Sequence, residues 1–348
     1  MTVIFRVDPQ FPDAEIISVA AKCLREGGLV AFPTETVYGL GANAFDEKAV
    51  AQIFVAKKRP STDPIIVHIA SFEQFADVVI ETSNLADKLA REFWPGALTL
   101  IQRRGKRIPA NVSAGLDTVA VRFPSHPVAR ALIKAAGVPI AAPSANLFAR
   151  PSATTAQHVM EDLAGRFDIV LDAGPTQIGL ESSVLDLLSE PPVLLRPGGV
   201  SIDALRRIAP DIQIAERYLR VESAEAQNSP GQLSRHYSPK GSLYLVRGIG
   251  GAGVEHIRKV AQDFIDQGKN VGVLIADEDV EQLASLHAQI LQVGSRSNLD
   301  QIGANLFIRL REIDNLGVDP ILIGEFELDG IGLAIRDRLI RACEGRMI

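Results

Sequence analysis

Short apolar runs alternate with amphipathic segments along this chain, and that alternation constrains the fold more than any other feature. Runs such as "PIIVHIA" and "TVAVRF" are typical of buried strands, whereas residues 14–26 and 126–136 have the apolar period of helices. A chain with this pattern buries a sheet between helices, so we predict the α/β class. Because several predicted strands follow one another with no full helix between them, we expect a twisted mixed sheet.

One interruption of this pattern divides the chain. With 348 residues the chain is long enough for two hydrophobic cores. The pattern fades at about residue 211 and returns after "NSPGQLSRHYSPKG". We therefore predict a first domain over residues 1–210, a linker over 211–240 and a smaller α/β domain over 241–348.

Composition argues against several classes of protein. No apolar run approaches the roughly 20 residues of a membrane span, and Arg6 and Asp8 interrupt the segment where a signal peptide would be apolar. We expect a cytoplasmic protein with no membrane contact. The formal charge of -6 does not favour non-specific capture of nucleic acid by the whole chain. Cys23 and Cys343 lack the paired spacing of a disulfide framework or a zinc site.

Four stretches rich in polar residues, glycine and proline adjoin predicted strands, where α/β proteins commonly have their sites. They are "FPTETVYGLG" after an apolar run, "KKRPSTDPIIVH", "DTVAVRFP" with "AAPSANLFARPSATT", and "GLESSVLDLL" with "LLRPGG". In the first stretch Thr34 and Thr36 offer hydroxyls, the glycines let a ligand approach the backbone, and Tyr38 offers a flat apolar side. We predict that this stretch forms a wall of the site.

Cations in apolar surroundings indicate anionic partners. Arg122 lies inside an otherwise apolar strand, where an unpaired charge would be costly. A salt bridge to a carboxylate of the chain and a contact with a ligand are both consistent with this position. If Arg59, Arg122 and Arg196 converge, a phosphate or a carboxylate is their natural complement. Three adjacent cations at a helix end, Lys57, Lys58 and Arg59, are by themselves typical of a solvated cap, although the proline after Arg59 makes that residue less typical.

A glycine-rich stretch in the second domain indicates a different chemistry. "GIGGAG" (248–253) fits G-x-G-x-x-G, follows the predicted strand "SLYLV" and precedes a helix, and the next strand ends at Asp277. This context is that of the dinucleotide fingerprint, so a Rossmann-like second domain and a dinucleotide-binding oxidoreductase are one alternative. The chain contains no P-loop motif and no G-x-S-x-G nucleophile elbow.

The first, third and fourth polar stretches, in this order and spacing, resemble the YrdC-like domain of threonylcarbamoyl-AMP synthases. "SPGQLSRHYSP" resembles the segment that marks the two-domain members of that family. The resemblance covers nearly the whole chain and implies a YrdC-like catalytic domain with a concave cationic cleft. It implies a nucleotidyltransferase that makes L-threonylcarbamoyl-AMP and pyrophosphate from L-threonine, bicarbonate or CO2, and ATP, with Mg2+ assisting.

Further partners follow from the same resemblance. The product would be used by a separate transferase that completes N6-threonylcarbamoyladenosine in tRNA. Because YrdC-like domains have a cationic concave surface, the non-enzyme alternative is an RNA-binding module, and a weak contact with RNA is expected in either case.

The resemblance also implies roles for individual residues. Around L-threonine it implies Thr36, His68, Arg122, Ala142 and Ser182. Around ATP it implies Arg59, Asp63, Thr118, Ser144, Ser152, Arg196 and Tyr237. Lys57 would lie near the phosphates, and Lys57 and Arg59 would be the catalytic cations. Tyr237 would fold over the nucleotide, so that the linker acts as a lid that excludes water.

One of these positions departs from the family pattern. Asp63 stands where asparagine is expected, and an extra carboxylate near a triphosphate is unfavourable unless it contacts Mg2+ or the ribose. The histidines have no metal-ligand spacing, so the sequence leaves the ligands of a metal ion unknown.

Overall fold

The computed structural model describes residues 1–215 and 236–348. Residues 216–235, which make up most of the predicted linker, lie outside the described residues. The described residues form two compact units. Unit 1 consists of Met1–Phe148, Ser152–Gln177 and the described residues between 181 and 215. Unit 2 consists of Ala149–Pro151, Ile178–Leu180 and the described residues between 236 and 348.

Unit 1 is built on an eleven-stranded sheet with both parallel and antiparallel neighbours, which confirms the predicted mixed α/β fold. Its strands are β1 (Val3–Arg6), β2 (Val30–Phe32), β3 (Gly39–Asn43), β4 (Ile66–His68), β5 (Leu98–Arg103), β6 (Thr118–Arg122), β7 (Ile140–Ala141), β8 (Ile169–Asp172), β9 (Ser183–Asp186), β10 (Val193–Arg196) and β11 (Gln213–Ile214). Across the sheet they follow the order β1-β8-β2-β3-β7-β4-β6-β5-β9-β10-β11. The stretch "FPTETVYGLG" connects β2 to β3, which pair as an antiparallel hairpin.

Local sequence signals account for the helices of unit 1. They are α1 (Ala14–Arg25), α2 (Glu47–Lys57), α3 (Phe72–Val78), α4 (Asn84–Phe93), α5 (Pro127–Ala136), α6 (Ala156–Leu163) and α7 (Ile202–Ile208). The side chains of Asp13 and Asp46 accept backbone N–H groups in the first turns of α1 and α2. Pro127 opens α5, and Gly137, with φ of 69°, ends it.

The two faces of this sheet are covered differently. On one face, strand residues join helices α2, α3, α4 and α6 in the main core of unit 1. On the other face, α1 and α5 pack over the region of β2, β7 and β8. Farther along that second face lies a smaller apolar cluster formed by strand residues only: Ile66, Ile101, Ala120, Val184 and Leu195. We call the face of β4, β5, β6 and β9 that carries this small cluster the site face.

Unit 2 contains a second sheet, in which all the neighbouring strands are parallel. Its strands are β12 (Leu243–Val246), β13 (Gly272–Ala276), β14 (Gln289–Gly294) and β15 (Ile321–Gly324), in the order β12-β15-β13-β14. Its helices are α8 (Gly250–Asp266), α9 (Val280–Leu283), α10 (Leu299–Asn315) and α11 (Gly332–Ala342). Residues of α8 pack on one face of the sheet and those of α10 and α11 on the other. Within the ranges 1–215 and 236–348, no helix has both the length and the apolar character needed to cross a membrane.

The strand order of unit 2 differs from that of the dinucleotide-binding fold. There the strand before the glycine-rich turn pairs with the strand that ends in the acidic residue. Here β15 lies between β12 and β13, so the turn at Gly248 and the acidic Asp277 follow strands that are not neighbours. The glycines have a packing reason instead, since a Cβ on Gly253 would lie 2.3 Å from the carbonyl oxygen of Gly248. The structure therefore does not support the oxidoreductase alternative.

The cap of α2 gives a test of the fold. In Asp46→Ala the N–H groups of Lys48 and Ala49, which the Asp46 carboxylate accepts at 2.9 and 3.1 Å, lose their partner. We expect the free energy of unfolding to fall by about 1 kcal/mol and the melting temperature by roughly 2–4 °C. Asp46→Asn keeps an acceptor and should lose less. Thermal unfolding followed by circular dichroism compares them, and equal melting temperatures of Asp46→Ala and the unmodified protein would contradict the cap.

Candidate active site

One row of residues crosses five neighbouring strands of unit 1 at the same level. In the register of the sheet, His68 in β4 pairs with Arg122 in β6, which pairs with Thr99 in β5. Thr99 pairs with Val184 in β9, and Val184 pairs with Arg196 in β10. Because directly paired residues project to the same face, His68, Arg122 and Thr99 lie side by side at one end of the site face. Two of the three arginines expected to converge, Arg122 and Arg196, thus share this row.

Arg122 is bonded to three residues outside its own strand. Its Nη1 donates to Thr36 Oγ1 at 2.8 Å and its Nε donates to the carbonyl oxygen of Gly96 at 3.2 Å. Its Nη2 lies 2.7 Å from Oε1 of Glu35, and both side chains are buried. The other carboxylate oxygen of Glu35 accepts the N–H of Ser125 at 3.1 Å. A carboxylate of the chain is therefore the anionic partner of Arg122 in this structure.

This ion pair leaves donor capacity on the guanidinium. Nη2 of Arg122 lies close to Oε1 of Glu35. Even so, neither of these two atoms has a hydrogen-bond partner among the described residues. Since a guanidinium holds its five N–H groups in a fixed plane, hydrogens on Nη2 of Arg122 point past Glu35 and can meet a second acceptor. A carboxylate or phosphate, with two oxygens side by side, matches this fork.

The connection between β2 and β3 holds Thr36 against Arg122. Thr34 Oγ1 accepts the N–H groups of Thr36 and Val37, each at 3.2 Å, and donates to the carbonyl oxygen of Val37 at 2.7 Å. Tyr38 was expected to line the site, and this expectation is wrong. Its side chain is fully buried in the main core, and its hydroxyl donates to the carbonyl oxygen of Gly174 at 2.7 Å.

His68 is a neutral member of the row. Burial, together with the charge of Arg122, lowers the pKa of His68 from its ordinary value of 6.5 to about 3. The imidazole therefore carries no charge at neutral pH. Its ring meets the edge of Phe32 at a centroid distance of 6.2 Å, and its Nδ1 lies 3.3 Å from the carbonyl oxygen of Ile66.

Ser182 bonds two members of the row, Thr99 and Arg196. Its Oγ lies 2.7 Å from Thr99 Oγ1 and accepts Nη2 of Arg196 at 3.1 Å. Nε of Arg196 also donates to the carbonyl oxygen of Ser182 at 3.0 Å. The backbone approaches closely here, because a Cβ on Gly198 would lie 2.3 Å from the carbonyl carbon of Ser182. The predicted residues Ser182 and Arg196 are therefore brought together.

The predicted nucleotide residues Arg59, Asp63 and Thr118 lie at the other end of the site face. Nη2 of Arg59 lies 2.9 Å from Oδ2 of Asp63 and donates to the carbonyl oxygen of Pro64 at 2.8 Å. Thr118 lines a small cleft together with Pro64 and residues of the small cluster. Thr118 begins β6 and Arg122 ends it, so the two ends are about 13 Å apart at roughly 3.3 Å per residue.

The interpretation of a solvated helix end is wrong for two of its three cations. Lys58 is exposed, but Lys57 is only 1% exposed and Arg59 only 7%. Lys57 Nζ donates to the carbonyl oxygens of Ser144 and Asn146. Lys57 thus holds the loop between β7 and α6 against the end of α2.

Three more predicted residues lie along that loop. The N–H of Ala142 donates to the carbonyl oxygen of Ile66 at 2.9 Å, which extends the pairing of β7 with β4. Ser144 is half-buried and forms an isolated bridge with Gly39. The Ser152 hydroxyl donates to Oε1 of Glu181, and both residues are buried.

Tyr237 is the one predicted site residue that belongs to unit 2. Its ring is fully buried, stacks on Phe307 at a centroid distance of 5.2 Å, and has the guanidinium of Arg338 5.4 Å from its centroid. The segment predicted as a lid lies largely outside the described residues, so the lid stays a prediction.

Sequence reasoning missed Glu35, Thr99 and Glu181. Each had a weak signal. Glu35 stands between the two threonines of the first polar stretch, Thr99 is a polar residue in the apolar run "ALTLIQ", and Glu181 directly precedes Ser182. Their importance depends on partners in other parts of the chain.

The described residues do not supply a cage for a metal ion. In the ranges 1–215 and 236–348 there is no group of three or more His, Cys, Asp or Glu side chains that could hold one. Mg2+ usually keeps several waters and binds through substrate phosphates with one or two carboxylates. The chemistry of this donor set therefore fits a Mg2+ ion that enters with a nucleotide.

The geometry as a whole suits binding and positioning. One end of the site face offers a forked cation, hydroxyls and a neutral imidazole, the other offers a paired arginine and a hydroxyl, and apolar side chains lie between them. Such an arrangement can hold two ligands in line and stabilise charge between them.

Comparison with known proteins gives matches along the whole chain. A family model named for Sua5, YciO and YrdC and described as telomere recombination matches residues 22–198. A second model, described as the C-terminal domain of threonylcarbamoyl-AMP synthase, matches residues 200–343.

Individual relatives agree with these matches. The threonylcarbamoyl-AMP synthase of Pyrococcus abyssi is 42% identical, with 100% of this chain and 99% of the relative covered. That of Bacillus subtilis is 43% identical, with 98% and 95% covered. The crystal structure of P. abyssi Sua5 complexed with L-threonine has a TM-score of 0.94 at 42% identity, and covers 100% of this chain and 99% of that one.

The lowered pKa of His68 predicts a pH-dependent stability. Between pH 6.5 and about 3 the unfolded chain binds a proton at this residue that the folded chain does not. The contribution is fully present above pH 6.5, and below it the free energy of unfolding should fall by about 1.4 kcal/mol per pH unit.

Urea unfolding at several pH values from about 5 to about 8, the range in which an ordinary histidine changes charge, measures this slope. In His68→Gln, which does not titrate, the slope should be smaller by the contribution of one proton. Equal slopes in the variant and the unmodified protein would contradict the buried neutral histidine.

Proposed function

Because this chain belongs to the threonylcarbamoyl-AMP synthase family, in its two-domain form, we propose that it makes L-threonylcarbamoyl-AMP and pyrophosphate from L-threonine, bicarbonate or CO2, and ATP. The observation that carries this proposal is the row of Arg122, His68, Thr99 and Arg196 beside Thr36 and Ser182, with donor capacity left on Arg122. The relative complexed with L-threonine supports the choice of amino acid.

At the first end of the site face, Arg122 would bind the threonine carboxylate. Its guanidinium fork suits two carboxylate oxygens, and Thr36 and Ser182 would add hydroxyl contacts. His68 brings no charge, and a buried site disfavours the ammonium form of an amine. The site would therefore favour the neutral amine that attacks CO2 and forms a carbamate.

At the other end, Arg59, Asp63 and Thr118 would contact ATP. Ser144 and Ser152 would contact it from the loop between β7 and α6, and Arg196 would contact it from the row at the first end. The small apolar cluster between the ends gives a surface on which a flat base can lie. The carbamate oxygen would attack the α-phosphorus in line with the departing pyrophosphate, with Mg2+ carried by the ATP. This chemistry depends on positioning and charge stabilisation, which is consistent with a site of cations and hydroxyls.

Lys57 and Arg59 are proposed as the catalytic cations. Lys57 would act close to the phosphates from the end of α2, where it holds the loop between β7 and α6. Arg59 would act beside its partner Asp63. The product is a reactive mixed anhydride, so a separate transferase must collect it for the adenosine of tRNA. We expect the synthesis of this product and its transfer to tRNA both to take place in the cytoplasm.

Pyrophosphate release tests this proposal directly. With ATP and Mg2+ present, we expect release only when threonine and bicarbonate are both supplied, because the carbamate is the attacking group. Each of the two is omitted in turn. Release that continues without threonine would reject the proposed substrate, and binding of RNA without any nucleotide requirement would favour the RNA-binding alternative.

Paired substitutions test the two ends of the site. Arg122→Gln combined with Glu35→Gln removes a buried ion pair without leaving one charge alone. We expect the KM for threonine to rise by about tenfold or more, with a much smaller change in the KM for ATP.

The matched variant at the other end is Arg59→Gln with Asp63→Asn, which should mainly raise the KM for ATP. Arg258→Gln, at an exposed ion pair with Glu255 in α8, is the control and should change neither constant. An equal loss for both substrates in either paired variant would show that its end had been assigned wrongly.

A further inference from the structure

Two short segments of unit 2 lead directly into two residues of the candidate site. Ala149–Pro151 packs as part of unit 2 and is followed by Ser152, and Ile178–Leu180 packs as part of unit 2 and is followed by Glu181. Ser152 and Glu181 are the pair joined by a buried hydrogen bond. Each member of this pair therefore has its preceding neighbour in the chain fixed by unit 2.

Helix α10 makes the contacts that hold both segments. Arg311 in α10 is 2% exposed, and its Nη2 donates to the carbonyl oxygen of Pro151. Gly179 has φ of 73°, and a Cβ there would lie 2.5 Å from Cα of Ala304 and 2.6 Å from the carbonyl oxygen of Gly303. Only a glycine fits so close to the backbone of α10 with this conformation.

The same helix also holds the segment that carries Tyr237. One carboxylate oxygen of Asp314 in α10 accepts the N–H groups of Lys240 and Gly241 at 2.7 and 3.0 Å. The N–H of Ser238 donates to the carbonyl oxygen of Ala149 at 2.8 Å. Three segments distant in sequence thus share one support.

We propose that α10 positions the Ser152–Glu181 pair, and with it the proposed ATP contacts Ser152 and Arg196, and that Arg311 is the main positioning residue. Consecutive Cα atoms are a fixed 3.8 Å apart, so a displacement of Pro151 passes directly to Ser152. Glu181 precedes Ser182, whose oxygens bond Arg196, so the same displacement reaches a second proposed ATP contact. This inference rests on the function proposed above.

The first variant is Arg311→Met in the full chain. Methionine keeps the apolar stem but donates nothing to the carbonyl oxygen of Pro151. Arg309→Met, on the same helix with its partner Glu312 at 2.5 Å, is the matched control. Far-ultraviolet circular dichroism and thermal unfolding check that both variants are folded.

We expect Arg311→Met to raise the KM for ATP by about tenfold, and to raise the KM for threonine by a smaller factor, because the threonine contact Ser182 directly follows Glu181. Arg311→Lys, which restores a donor, should recover part of the loss, and Arg309→Met should change neither constant. A purely structural role would lower kcat or the melting temperature without separating the two KM values.

A double-mutant cycle tests the route from Arg311 to the site. In Ser152→Ala the bond to Glu181 is already absent, so adding Arg311→Met should raise the KM for ATP much less than it does alone. If Arg311→Met raises the KM for ATP by the same factor with and without Ser152→Ala, the proposal is overturned. An unchanged KM for ATP in Arg311→Met would also overturn it.

Calorimetric binding of a non-hydrolysable ATP analogue separates this inference from the proposed reaction. The unmodified protein could bind the analogue and yet release no threonine-dependent pyrophosphate. The proposed reaction then fails, but the role of α10 is still tested, because Arg311→Met should bind the analogue more weakly. Equal affinity in Arg311→Met and the unmodified protein, or no binding by either, would overturn the role of α10.

Discussion

A buried guanidinium within a sheet is the constraint on which the rest of the site depends. Arg122 can lie there only because Glu35 supplies a carboxylate and Thr36 and Gly96 supply acceptors. Two of these three lie in the connection between β2 and β3, so that connection must keep one conformation. Thr34 stabilises that conformation through its hydrogen bonds within the connection. The density of polar residues in "FPTETVYGLG" is thus explained by a charge placed three strands away.

The same rule of paired charges applies at both ends of the site face. Arg59 has Asp63 as Arg122 has Glu35, and all four side chains are buried. An anion that enters meets a cation whose charge is already balanced, so charge alone attracts it weakly. Groups whose oxygens match the guanidinium geometry gain the most, which favours selectivity over affinity. The family resemblance predicts asparagine at position 63. An asparagine could still bind Arg59, but it would not neutralise the charge of Arg59 as Asp63 does.

Sequence patterns were sufficient where the signal is local. Asp46, a residue type that commonly caps helices, starts α2, and the apolar runs "PIIVHIA" and "TVAVRF" contain the strands β4 and β6 as predicted. The strand β14 was missed because glutamines interrupt its apolar pattern, and α8 begins at Gly250, earlier than predicted, because glycines were interpreted as a turn. The site was harder. The burial of Lys57 and the pairing of Glu35 depend on partners far away in sequence, which no local pattern indicates.

The discontinuity of unit 2 has a consequence for how the chain is made. Residues 149–151 and 178–180 leave the ribosome long before α10, the helix that holds them, has been synthesised. Most of unit 1 can fold while translation continues, since domains generally fold as units from the N-terminal side. The loops that lead to Ser152 and Glu181 must wait for the last part of the chain. A nascent chain would therefore have an almost complete first sheet while these two loops still lack the helix that holds them.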